Sequence, residues 1–333
     1  MLAALITTPG GPDVLELRQA PRPIPAAHEV LVRVRATALN RADLLQRQGR
    51  YPAPPGAPAQ IGGLEFAGEV AELGAASTLW RGGDRVFGIT GGGAHAEYLI
   101  AHERTLARVP ERLGWAEAAA VPEAFMTAYD ALVTQAAVRP GERVLVHAVG
   151  SGVGLAAVQL ARAVGAVVYG DSRTADKVDR AREFGLEDGV VVVAGDVEIV
   201  SREAMRWSGD AGMDVVLDLA GGAYTVASIN AAATLGRIIL IGTMAGASAT
   251  LPLGLILRKR LSIRGTVLRS RPIEEKIAVA RAFAAHVVPL LAQGVLRPVV
   301  DRRFTLSDIR AAHQHLESNA TFGKVVLTVG DGG

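Results

Sequence analysis

At 333 residues, half of them hydrophobic and 20% charged, the chain carries enough apolar material for two folded cores and too much for a disordered segment. It contains no cysteine, which excludes disulfides, thiolate nucleophiles, iron–sulfur clusters and cysteine-ligated zinc. Lys+Arg 35 against Asp+Glu 33 leaves a formal charge of +2 without a long basic block, so no nucleic-acid partner is expected.

The opening MLAALITTPGGP lacks a basic n-region and turns at Pro9-Gly10-Gly11, which reads as no signal peptide and a cytoplasmic protein. The first ~120 residues read as a β-rich module. Glu29–Thr37 alternates Val30, Val32 and Val34 against Leu31, Arg33 and Arg35, the period of a half-buried strand. Further strands are predicted near Ala67–Leu73, Arg85–Ile89 and Ala94–Ile100, punctuated by glycine pairs. A short helix over Arg41–Gln48 interrupts them, followed by the proline-rich loop Tyr51–Pro58.

From about residue 121 strands alternate with helices. Apolar runs at Arg143–Val149, Ala166–Tyr169, Val190–Val193, Val215–Leu219, Arg237–Ile241 and Leu261–Val267 lack strict alternation, as strands of a parallel sheet covered on both faces do. Amphipathic stretches at Val153–Val164, Thr174–Phe184 and Tyr224–Leu235 lie between them. Six such strands complete a doubly wound sheet. The uncharged runs Val144–Ala161 and Ile238–Leu257 are broken by glycines and Pro252, so they read as strand, turn and helix start, and no membrane partner is expected. The tail predicts one long helix from Pro272 to Gly294, a strand near Val299–Phe304, a helix capped by Thr305 and a last strand, all returning to the first module.

The strongest chemical signal is Arg143-Val-Leu-Val-His-Ala-Val-Gly-Ser-Gly-Val-Gly154, a strand, a small-residue turn and a helix start where backbone N–H groups can meet a pyrophosphate. It departs from strict G-x-G-x-x-G, with Ser151 and Val149 at the other glycine positions. The second strand ends at Val167-Val-Tyr-Gly-Asp-Ser-Arg173. Asp171 there argues for NAD, by bonding the ribose hydroxyls, whereas Ser172, Arg173 and Lys177 argue for NADP; the alternative is that Asp171 or Thr174 merely caps the next helix. Asn40 and Asp43 either form a capping box on the short helix or face a reacting nicotinamide, and Tyr51 on its rigid loop suits a substrate-side hydrogen-bond donor. The histidines lack metal-ligand spacing: His313 and His315 read as solvated, and His95 as a loop residue without a visible carboxylate partner. No Walker motif or nucleophile elbow occurs.

Long segments carry a resemblance. Ala38-Leu-Asn-Arg-Ala-Asp-Leu-Leu-Gln-Arg-Gln-Gly-Arg-Tyr-Pro-Ala-Pro-Pro-Gly-Ala57 is the most distinctive. It is joined by Gly63-Leu-Glu-Phe-Ala-Gly-Glu-Val-Ala-Glu-Leu-Gly74, Pro122-Glu-Ala-Phe-Met-Thr-Ala-Tyr129, Ser151-Gly-Val-Gly154, Leu268-Arg-Ser-Arg271 and Gly323-Lys-Val-Val-Leu327. The chain resembles the zinc-independent medium-chain dehydrogenase/reductases, in particular quinone oxidoreductases of the p53-inducible quinone reductase type. That resemblance implies an α/β protein with a GroES-like β-rich catalytic domain (residues 1–121 and 268–333) and a Rossmann domain with a six-stranded parallel sheet (residues 122–267). It implies a cofactor in the cleft between them, a homodimer formed by edge strands near Leu261–Val267, and no zinc, since the ligand positions near Leu39–Asn40 and at Leu64 carry no cysteine or histidine.

Carried over by position, Tyr51, Thr127, Ser151, Gly152, Val153, Gly154, Ser172, Arg173, Lys177, Thr243, Leu268, Arg269 and Ser270 are expected to contact the cofactor, and Tyr51, Asn40 and Asp43 to serve catalysis. Val192 stands where relatives place a tyrosine beside the 2′-phosphate, and Arg173 replaces a small residue and offers a compensating partner. The expected cofactor is NADPH, with NADH as the alternative. The expected reaction is metal-free hydride transfer from NADPH to a quinone. Its rivals are an enone or enal reductase, and a dinucleotide-binding regulatory or structural protein with little catalysis.

Overall fold

The computed structural model describes residues 1–193 and 195–330, and the chain divides into two compact units: residues 1–126 with 268–333, and residues 127–267. In the first unit the strand Glu29–Leu39 is the spine of a seven-stranded sheet. It pairs antiparallel with Glu65–Leu73, Tyr98–His102 and the late strand Lys324–Thr328; Val300–Thr305 and Arg85–Ile89 extend the sheet outward. Its alternating residues explain the position: Val30, Val32 and Val34 enter a core with Leu39, Phe66, Val70, Leu99, Ile309, Leu316 and Val325, while Arg33 stays exposed. Leu31 is also buried.

The second unit is a six-stranded, all-parallel sheet. Its spatial order is Asp188–Val191, Val167–Ser172, Arg143–Val146, Met213–Asp218, Ala232–Leu240 and Ser262–Gly265, the Rossmann order in which the chain starts centrally and winds out both ways. Leu145, Val190, Met213, Val216 and Ile238 pack with Val200, Ala204, Ala227 and Ile229 of the covering helices, which is why those strands read as continuous apolar runs. The last strand is the exception: Ser262–Gly265 is exposed throughout, at a free edge.

Several expectations need correction. The helix predicted from Pro272 to Gly294 is two, Ile273–His286 and Val288–Gln293, because Pro289 has no N–H for a continuing ladder and fits only a new first turn. Thr305 precedes a 3₁₀ turn and caps nothing: its hydroxyl donates to the Asp308 carboxylate at 2.7 Å. His313 is buried against Arg47, and His315 bonds Asp301 at 2.6 Å, so neither is a solvated surface residue. The hairpin Leu2–Ile6 with Leu15–Gln19 and the helix Glu198–Ser208 carried no clear pattern in the sequence. Among the described residues no helix is long and apolar enough to cross a membrane.

Candidate functional site

In the first unit, the helix Arg41–Arg47 starts where the spine strand ends. Asp43 accepts the Asn40 backbone N–H at 2.7 Å and the Gly63 N–H at 2.9 Å. This places Asp43 in the capping box at the start of the helix. The Asn40 side chain turns away from the helix, donating to Glu65 Oε1 at 2.9 Å and accepting from Lys324 Nζ at 2.5 Å. Lys324 completes its three donors on Leu39 O (2.9 Å) and Glu65 Oε1 (2.6 Å), and Glu65 Oε2 accepts the Glu123 N–H at 2.8 Å. Glu65 is fully buried, so this satisfaction is what makes its charge tolerable.

Glu123 opens the helix Pro122–Tyr129 and keeps part of its surface open. Enclosure by its neighbours, and then the Glu65 charge, push its carboxyl up to about 8, only partly offset by Lys324. A carboxylic acid of this kind holds its proton at neutral pH and can donate it. Tyr51 is half-buried; desolvation raises its phenol, so the O–H is retained. Arg269 fixes that loop: its guanidinium lies 4.8 Å from the Tyr51 ring centroid and donates to Tyr51 O (3.3 Å), Gly91 O (2.8 Å) and Gln46 Oε1 (2.5 Å). Leu268 beside it is buried and Ser270 exposed. The structure thus brings Asn40, Asp43, Tyr51 and Arg269 into one unit with three groups the sequence reading missed: Glu65, Glu123 and Lys324.

In the second unit Ser151 caps the helix Gly152–Val164, its Oγ accepting the Gly154 N–H at 3.0 Å. The Gly152 and Val153 amides have no acceptor among the described residues, and the first turn holds no acidic side chain. A Cβ on Gly154 would lie 2.4 Å from Ala148 O, so only glycine allows this helix so close to the turn. Free amides at a positive helix end, with no acid nearby, fit a dinucleotide pyrophosphate.

Lys177 runs against that turn: a Cβ on Gly150 would meet its Cδ at 2.9 Å. Ser172 is buried at the end of the second strand and Arg173 exposed beyond it; Thr127 is buried, and Thr243 lies exposed in the turn after the fifth strand. Asp171 corrects the reading that made it a ribose ligand or a helix cap. It is 2% exposed, one oxygen is in contact with His147 Nδ1, and the other accepts the Ala148 N–H at 3.3 Å.

Family models and known proteins match the chain along most of its length. Residues 26–111 match the family model described as alcohol dehydrogenase GroES-like domain, and residues 188–327 match that described as zinc-binding dehydrogenase. The chain is 34% identical to a quinone oxidoreductase of Lama guanicoe, over 98% of this chain and 97% of that protein. Among solved structures, a quinone oxidoreductase of Pseudomonas syringae superposes with a TM-score of 0.85 at 28% identity, covering 98% of this chain and 100% of that one. The mycobacterial protein Rv1454c, solved in complex with NADPH, superposes with a TM-score of 0.88 at 27% identity, covering 98% of this chain and 100% of that one. A GroES-like unit and a Rossmann unit on one chain, with this full-length likeness, mean that the chain belongs to the quinone oxidoreductases of the medium-chain dehydrogenase/reductase family, and is an oxidoreductase that uses a nicotinamide dinucleotide.

Proposed function

We propose that this oxidoreductase reduces quinones with NADPH and without a metal. The observation that carries the reading is the seating of Glu123, its carboxyl pushed up to about 8, on Glu65 of the Asn40–Glu65–Lys324 network, an arrangement able to protonate an acceptor oxygen. The Gly152 and Val153 amides and Lys177 would hold the dinucleotide phosphates, and Ser172 and Arg173 the adenosine end; Thr127, Thr243 and the Leu268–Ser270 segment are its further contacts. Bound there, the reduced nicotinamide supplies the hydride.

The chain's own groups do the rest. Asp43 fixes the start of the helix and hence Asn40, whose amide is held from both ends by Glu65 and Lys324. Tyr51 donates its phenolic hydrogen to an acceptor oxygen, and Glu123 releases its carboxyl proton to the same developing anion. A quinone needs no Lewis acid for this, since its reduced anion is a modest base, whereas an alcohol substrate would. The absence of cysteine and the Asn40 and Leu64 side chains support the metal-free reading. The exposed edge strand Ser262–Gly265, beside the exposed Leu253, Leu257 and Val267, supports a homodimer formed by strand pairing. A monomer in analytical ultracentrifugation would remove that part. A cytoplasmic location belongs to the same proposal.

Stopped-flow loss of NADPH absorbance tests the reaction. Rapid oxidation with ortho- or para-quinones and slow oxidation with enones is expected; no acceptor-dependent oxidation overturns the reading. Glu123→Gln is expected to lower kcat by about 10²-fold. Because the acid must be protonated to act, wild-type kcat falls as pH rises through about 8, and the variant loses this limb.

A further inference from the structure

His147 follows the first strand of the Rossmann unit and is fully buried. Its Nε2 lies 2.8 Å from Ser228 Oγ, whose one hydrogen is donated to Tyr224 O at 2.8 Å. The hydroxyl therefore accepts from the ring, and Nε2 carries a proton. Nδ1 meets the Asp171 carboxylate, which only accepts, so Nδ1 carries one too. The ring is an imidazolium. Burial opposes this state, but the charge and hydrogen bond of Asp171, with Asp218 further off, outweigh it and raise His147.

The carboxylate so engaged stands one residue before the end of the second strand, next to Ser172, which holds the position where an acid in a Rossmann sheet takes the ribose hydroxyls and repels a 2′-phosphate. Asp171 has no such freedom. Its second oxygen holds the amide of Ala148, a non-glycine residue at φ 53° in the turn leading to Ser151. Ser172, next along the strand, projects to the opposite face.

We infer that His147 sets the choice of dinucleotide: by pairing with Asp171 it cancels that carboxylate's charge and ties it to the Ala148 turn, leaving the adenosine subsite to Ser172 and Arg173. This rests on the NADPH reading above. His147 is thus a positioning residue, since it reaches the cofactor only through Asp171. An unpaired charge in so dry a place is weakly screened, and would discriminate against a 2′-phosphate by about tenfold.

Calorimetric titration of the full-length protein with NADPH and with NADH, at pH 8 so that a freed carboxylate is ionised, tests the inference. Wild type is expected to favour NADPH. His147→Gln shifts the ratio of the two Kd values at least about tenfold toward NADH, and adding Asp171→Asn returns it to within about threefold of wild type. A folded His147→Gln with an unchanged ratio, or a double variant that keeps the shifted one, overturns the inference. Should His147→Gln not fold, Asp171→Asn alone decides: the ratio stays unchanged if the pair is neutral, and a tenfold gain in NADPH preference means that the carboxylate was never cancelled. Wild type binding neither dinucleotide would sink the functional reading itself, a distinct result.

Discussion

The buried histidines of the two units carry opposite charge states. In the Rossmann unit His147 touches Asp171 and is raised; in the GroES-like unit His95 and His313 are lowered by burial, His313 further by His95 and Arg47. Arg47 donates to His313 Nδ1 at 3.3 Å, so that nitrogen is unprotonated and the ring neutral, while the Nε2 atoms of His95 and His313 have no partner among the described residues. The acid that faces His95, Asp43, spends its oxygens on the Asn40 and Gly63 amides. Burial alone discharges a histidine, and only a carboxylate in direct contact reverses the outcome. In the GroES-like unit one of the buried cations is Lys324, and it serves a glutamate rather than an aspartate.

Truncating one member of either pair is the harshest way to break this comparison. Lys324→Ala strands the Glu65 charge and is expected to cost about 3–5 kcal/mol by urea denaturation, whereas Asp171→Ala lets the buried His147 lose its proton and is expected to cost less. Equal costs would show that the two pairs, unlike in chemistry, do the same structural work. A milder probe is pH. A raised histidine stabilises fully below its ordinary value of 6.5, and this is lost as pH climbs through the folded value; the lowered ones stabilise above 6.5 and this is lost as pH falls. Hydrogen exchange should therefore show Rossmann amides losing protection on the alkaline side and GroES-like amides on the acid side. The smallest effect sharpens the assignment: Asp171→Asn should flatten the alkaline limb and leave the acid limb alone.

The Rossmann sheet was legible in the sequence because strands covered on both faces must be apolar throughout, and the turn at Ser151 because a close helix approach demands small residues. Asn40, Asp43 and Tyr51 were legible through their long shared segment. Glu65, Glu123 and Lys324 were not, since each reads singly as a solvated charge. Only the pairing of Lys324–Thr328 with Glu29–Leu39, across most of the chain, makes them one network. Asp171 stayed open to two readings for the related reason that an acid near a strand end looks identical whether it faces a ribose or a buried imidazole. The break at Pro289 was visible in the sequence, and the apolar periodicity on either side of it hid the stop.

The Rossmann unit is one uninterrupted stretch, while the other unit joins residues 1–126 to residues 268–333. During vectorial synthesis the inserted half can finish while Glu65 still lacks Lys324, whose strand emerges after it. The unit carrying Glu123 thus matures after its neighbour, and a ribosome stalled before residue 324 would display a complete nucleotide fold beside an unclosed sheet, a natural client for chaperones.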